Sequence, residues 1–194
     1  LEALAIRVRV VEIPGPEGGL RNPVADAFRV ASRVAGHVRA ALRRSALPLV
    51  LSGSCHAGLG AVSGLGSGRR GVVWLDCHGD FNTPDTTTSG LVDGTTLAAV
   101  TGRGWAALAA DVTGFRPVPD ENLVLVGARD LDPAEEELLA ASRVERVGTE
   151  DPLHPALRRL GQRVEEAYLH LDLDVLDPSA GVANRWVRPG GFTG

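Results

Sequence analysis

Two apolar runs far apart in the chain each end in acids spaced two residues apart, and this pairing narrows the folds open to it. Val72-Val73-Trp74-Leu75 leads into Asp76-Cys77-His78-Gly79-Asp80, and Ala167-Tyr168-Leu169 leads into His170-Leu171-Asp172-Leu173-Asp174. Short apolar runs of this kind read as buried strands. Because side chains alternate along a strand, Asp76, His78 and Asp80 can share one side, and His170, Asp172 and Asp174 another. Carboxylates gathered in an apolar cleft repel one another and rise in pKa unless cations neutralise them. Two divalent ions would balance the four charges of Asp76, Asp80, Asp172 and Asp174. Oxygen donors mixed with imidazole suit Mn²⁺, Fe²⁺, Co²⁺, Ni²⁺ or Zn²⁺, whereas a thiolate-poor set argues against a structural zinc knot.

The surrounding pattern alternates strands with helices. Apolar runs at 6–13, 47–52, 72–76, 123–126 and 167–173 read as strands, with a weaker one at 144–147. Segment 24–46 carries Val30, Val34, Val38 and Leu42 at four-residue steps, which makes one apolar helix face; 95–110 and 133–142 also read as helical. Strands separated by helices imply an α/β fold whose parallel sheet is covered on both faces, with ligands at the carboxyl ends of the strands. The acidic motifs sit at such ends.

With 194 residues and 44% hydrophobic content the chain can bury the core of a single domain, 1–194. No stretch approaches the ~20 apolar residues that span a bilayer, and no basic segment precedes an apolar signal, so the expected location is the cytoplasm and no membrane partner is expected. A net charge of −4 gives no electrostatic footprint for nucleic acid, and Arg43-Arg44 and Arg69-Arg70 read as solvated ends of elements. Cys55 and Cys77 are too few for a disulfide framework. Cys77, between Asp76 and His78, is expected to turn away from the ligand side into the core. The glycine-rich stretches 58–60 and 64–68 lack the spacing of a phosphate loop and read as a helix start and a surface turn. His37 and His154 lie outside every motif.

Three blocks in order resemble the arginase or ureohydrolase family of binuclear manganese hydrolases. Gly53-Ser54-Cys55-His56 is similar to that family's Gly-Gly-Asp-His, residues 76–80 to its Asp-Ala-His-x-Asp, and 172–178 to its Asp-x-Asp-x-x-Asp-Pro. The resemblance implies a three-layer α/β/α sandwich and a centre of two Mn²⁺, or other divalent transition metals, held by His56, Asp76, His78, Asp80, Asp172 and Asp174. It further implies attack of a metal-bridging hydroxide on the planar carbon of a guanidino substrate such as arginine, with release of urea. Asp80 would hydrogen-bond the nucleophile. Asn82, Thr87 and Ser89 match positions that hold the amino-acid carboxylate, and Asp132 matches the residue that meets the substrate ammonium, although Asp132-Pro133-Ala134-Glu135 also reads as a capped helix start.

Two positions depart from the family pattern. Asp93 stands where arginases have a proton-shuttling His, so it would need a raised pKa to act as an acid, or would instead recognise a cationic group. His170 stands where relatives have Ser, on the ligand side, and could orient a carboxylate or take over proton transfer. A formimino or other amidine substrate, or a metal-binding role without catalysis, is therefore carried as the alternative to arginine hydrolysis. A deacetylase-like single-metal hydrolase is disfavoured because the adjacent histidine pair it needs is absent. Members of the family run on past the Asp-x-Asp block and assemble as trimers or hexamers. The chain is accordingly expected to be incomplete at its C-terminus, and before Leu1, and to form a homo-oligomer.

Overall fold

A computed structural model of the chain describes residues 7–15 and 22–193. Among these, the elements run α1 (Pro23–Leu42), α2 (Ala57–Gly64), β1 (Arg70–Leu75), α3 (Thr96–Val100), α4 (Ala106–Ala110), β2 (Leu123–Val126), α5 (Pro133–Ala141), β3 (Glu145–Val147), α6 (Leu153–Gly161) and β4 (Glu166–Leu171). The strands form one sheet in the order β3-β2-β1-β4, and every neighbouring pair is parallel.

Strand alternation splits the core into the two outer layers. Val72, Trp74, Leu123 and Leu125 point into a cluster with Phe28, Leu59, Leu97 and Leu139, from α1, α2, α3 and α5. Val73, Val124, Val126 and Val147 point the other way, onto Ala156 and Leu160 of α6. Both faces of β1 and β2 are thus buried, which is why these two read as unbroken apolar runs rather than alternating ones. The expected α/β sandwich with helices on both faces is what the chain adopts.

Local chemistry sets the helix ends. Asn22 caps α1 by accepting a hydrogen bond from Ala25 N at 3.0 Å, ahead of Pro23 in the first turn. α1 then packs tightly on α2, so closely that a Cβ on Gly60 would stand 2.3 Å from the Ala31 carbonyl oxygen. Only glycine fits there. The helix expected over 95–110 is instead two short ones, because Gly102 and Gly104 adopt φ of 86° and 57° between them.

Two expected strands do not form. Residues 7–13, the described part of the first, join no sheet, and neither does 47–52; Ile6 lies outside the described residues. Leu47 and Leu51 are 93% and 87% exposed, and across from them Leu169 on the unpaired edge of β4 is 65% exposed. Apolar alternation favours a strand, but a strand exists only where a neighbour accepts its backbone hydrogen bonds. Here 47–51 and β4 line opposite parts of one cleft of about 2110 Å³ instead of pairing. None of the described helices is long and apolar enough to cross a membrane.

Candidate metal centre

The cleft opens at the carboxyl ends of β1 and β4, where the chain leaves the sheet from adjacent strands. Parallel register places Trp74 beside His170 and Leu75 beside Leu171, so the residues that follow emerge side by side. Asp172 N donates to Leu75 O at 2.9 Å and Asp76 N to Val126 O at 3.1 Å, which fixes both acids at the strand ends. Asp172 Oδ1 then accepts from Asp174 N at 2.9 Å, folding the second acid back toward the first.

Two groups of donor atoms result, each spanning no more than 4.8 Å. One comprises Asp76, Cys77, His78 and Asp174; the other comprises Cys55, Asp76, His170 and Asp172. Asp76 belongs to both. In the first group, His78 Nδ1 lies 3.1 Å from Asp76 Oδ1 and 3.4 Å from Asp174 Oδ2. Asp174 also accepts from Cys77 N at 3.2 Å and from Asn184 Nδ2 at 3.0 Å. Arg129 secures that loop by donating to the carbonyls of Asp174 and Arg188 at 3.0 and 2.8 Å.

Of the six expected ligands, Asp76, His78, Asp172 and Asp174 therefore come together, and His56 and Asp80 stand outside both groups. Each of those two is buried, and each keeps an atom without a partner, His56 Nε2 and Asp80 Oδ2. Asp76 Oδ2 and His170 Nε2 are orphaned in the same way. Buried polar atoms are normally satisfied, so four unpartnered donor atoms around one cleft fit a site built for cations.

The electrostatics agree. Burial pushes the carboxyl of Asp80 well above its usual range, helped by the nearby charges of Asp76, Asp93, Glu135 and Asp172. Burial likewise raises Asp76, with Asp174 adding to the effect, and it raises Asp172. For Asp174 burial acts in the same direction, but the hydrogen bond from Asn184 and the His78 ring outweigh it and hold its pKa low. Burial lowers His56 and His170 to about 4, leaving both imidazoles neutral with a lone pair to offer. Burial also lowers His78, but its bond to Asp76 and the surrounding acids raise it overall.

Cys77 departs from the expectation that it turns away from the acids. It is buried, yet its Sγ lies 3.4 Å from His78 Nδ1. The alternation rule stops where β1 ends, at Leu75, so it does not govern the residues beyond. Cys55 Sγ meets Asp172 Oδ2 at 3.5 Å. Neither sulfur was expected among the donor atoms, and only their positions beside His56 and His78 in sequence pointed to them.

Further up the cleft, Asn82 Nδ2 and Thr88 Oγ1 donate to Asp132 at 3.0 and 2.8 Å, linking three loops. Thr88 is the residue of this trio that sequence reasoning missed. Asp132 also starts α5, where its N–H donates to Glu135 Oε2 at 3.2 Å, and Glu135 Oε1 accepts from Phe81 N at 2.7 Å. Asp132 is thus the helix start expected of it, and it also lines the cleft. Thr87 and Ser89 lie 3.4 Å apart at the rim, their oxygens accepting from Gly90 N and Leu91 N. Asp93 Oδ1 accepts from Ser54 Oγ at 2.5 Å and His56 N at 3.3 Å, so this carboxylate braces the His56 loop.

Comparisons with known proteins point to one family. The family model described as Arginase family covers residues 10–194. The arginase of Bacillus caldovelox is 35% identical over 158 residues, which are 76% of this chain and 52% of that protein. An arginase of Staphylococcus aureus (strain MRSA252) is 31% identical over 187 residues, covering 89% of this chain and 61% of its own. The solved native structure of the Bacillus caldovelox enzyme at pH 5.6 superposes with a TM-score of 0.82 and 30% identity, covering 97% of this chain and 67% of that one. The chain thus spans about half to three fifths of the length of these curated relatives.

Proposed function

The chain belongs to the arginase family, and from that premise we propose that it takes part in hydrolysis of a C–N bond in a small guanidino compound at a centre of two divalent cations. The observation that carries this reading is the set of unpartnered buried donor atoms on Asp76, Asp80, His56 and His170 beside the Asp172 and Asp174 carboxylates. Asp76, His78, Asp172 and Asp174 would hold the cations, with His56 and Asp80 completing the set. Two such ions, Mn²⁺ by family resemblance, supply Lewis acidity and lower the pKa of a water.

The chain's own residues supply the rest. Asp80 Oδ2, buried and unpartnered, is the acceptor for a proton of the attacking water. Asp132, held by Asn82 and Thr88, presents a carboxylate to a substrate ammonium. At Thr87 and Ser89 the hydroxyl oxygens already accept backbone N–H bonds and one hydroxyl donates to the other, which leaves one hydroxyl hydrogen of the pair to donate to a substrate carboxylate. Asp93 seats His56 and adds a negative wall where a cationic group would lie.

Arginine satisfies each of these contacts, and urea would then be the product. A second reading, a formimino or other amidine substrate, rests on Asp93 standing where arginases, by the resemblance, have a proton-shuttling His. The two free thiols accord with a reducing cytoplasm, and a trimer or hexamer rests on family resemblance alone. The test is urea release from a panel of guanidino compounds by protein loaded with Mn²⁺, beside formamide release from formimino compounds. Urea from arginine supports the first reading and formamide alone the second. Turnover of neither, with both ions bound, contradicts hydrolysis.

A further inference from the structure

His170 is too well prepared to be core filling. Its ring lies flat on Trp74, with centroids 3.6 Å apart and planes 7° from parallel, and its Nδ1 is 3.2 Å from Tyr168 Oη. The side chain is 10% exposed, and its Nε2, without a partner, faces Asp76 Oδ2 at 3.9 Å. The tautomer that donates Nδ1–H to Tyr168 leaves the Nε2 lone pair aimed at the acids, which is how metal-bound imidazoles are usually held. Cys55 Sγ joins the same group of donor atoms, 3.5 Å from Asp172 Oδ2.

We propose that Cys55 and His170 are themselves ligands, so that the cation shared by Asp76 and Asp172 is bound by one sulfur, one nitrogen and carboxylate oxygen. This rests on the two-cation reading above and adds to it a preference. Thiolate and imidazole draw this position toward a late first-row ion, Co²⁺ or Zn²⁺, and away from Mn²⁺, for which oxygen-rich sets are better suited. Binding exchanges the thiol proton for the cation, and that proton leaves to solvent. The His78 and Asp174 position has a thiol of its own, Cys77 Sγ, 3.4 Å from His78 Nδ1, so Cys55→Ser is the variant that assigns a sulfur-to-metal band to one position or the other.

The experiment titrates the metal-free chain with Co²⁺ and follows its absorption together with the bound cobalt per chain. The expected result is two bound ions, with a near-ultraviolet thiolate-to-cobalt charge-transfer band that saturates with one of them. Cys55→Ser should abolish that band while circular dichroism and the melting transition stay in place. His170→Gln should change the visible cobalt bands and weaken competition of Co²⁺ against Mn²⁺ by about tenfold or more. Two bound ions without a charge-transfer band in the unaltered chain would overturn the ligand assignment alone, and so would a band that survives Cys55→Ser. No bound cobalt would overturn the two-cation reading and this proposal together.

Discussion

The two donor groups that share Asp76 are built differently. On the His78 side, hydrogen bonds already join the donors to one another and to Asn184 and Cys77 N, and Arg129 clamps the loop beneath. On the His170 side, the ring is fixed by Trp74 and Tyr168 while its Nε2 and Asp76 Oδ2 bond to nothing. One half is held together by its own polar network, and the other by aromatic packing around atoms left waiting for a cation. A buried network that is only partly satisfied is costly, so the second half depends more on a bound ion than the first.

The sharpest way to break this comparison is to remove the residue both halves share. Asp76→Asn should release both ions and reduce any hydrolysis by on the order of 10³ or more, since the metals contribute several kcal/mol at about 1.4 kcal/mol per tenfold. Ion content by elemental analysis and urea release check this together. Asn184→Ala removes a support of Asp174 and nothing on the His170 side. It should weaken one of the two bound ions by about 10–100-fold and leave the other, as a two-site calorimetric titration would reveal. Asp132→Ala lies outside both halves and should raise KM by about tenfold with a smaller change in kcat, the loss expected for one charged hydrogen bond of ~1.5 kcal/mol.

The smallest effect sharpens the comparison through pH. Asp76, Asp80, Asp172 and His78 all have folded pKa values above their ordinary ones, so in the metal-free protein the folded state holds more protons than the unfolded state. Stability then falls as pH rises through those folded values. His56 and His170, lowered to about 4, act with the opposite sign, but only between that value and the ordinary 6.5. From 6.5 upward the raised groups act alone. The melting temperature of chelator-treated protein should therefore drop between that pH and about 8, and restoring the cations should remove the drop. A flat or rising profile in the metal-free protein would contradict the crowding of acids described here.

Much of this arrangement can be read in the sequence, for definite reasons. β2 spans Leu123–Val126 as its apolar run predicts, and α5 begins at Pro133 because Asp132-Pro133-Ala134-Glu135 is local start chemistry. Alternation also placed His170 on the side of Asp172. The box around His170 was hidden, because Trp74 comes from another strand and meets it only through the β1–β4 register. Strands at 7–13 and 47–52 were read from pattern, but pairing partners decide strands and pattern cannot supply them. α6 carries Leu153, Ala156, Leu157 and Leu160 at helical spacing, after the helix start that Pro155 marks beside His154. Cys77 was misplaced because it lies beyond the end of β1, where alternation no longer applies, and Cys55 sits in a loop that no described strand precedes.

The most direct test of the whole account counts ions. Chain equilibrated with Mn²⁺ or Co²⁺, freed of excess metal and analysed for its elements, should carry two ions per polypeptide, and the Asp76→Asn chain close to none. An unaltered chain that holds one ion or fewer, folded and free of chelator, would contradict it.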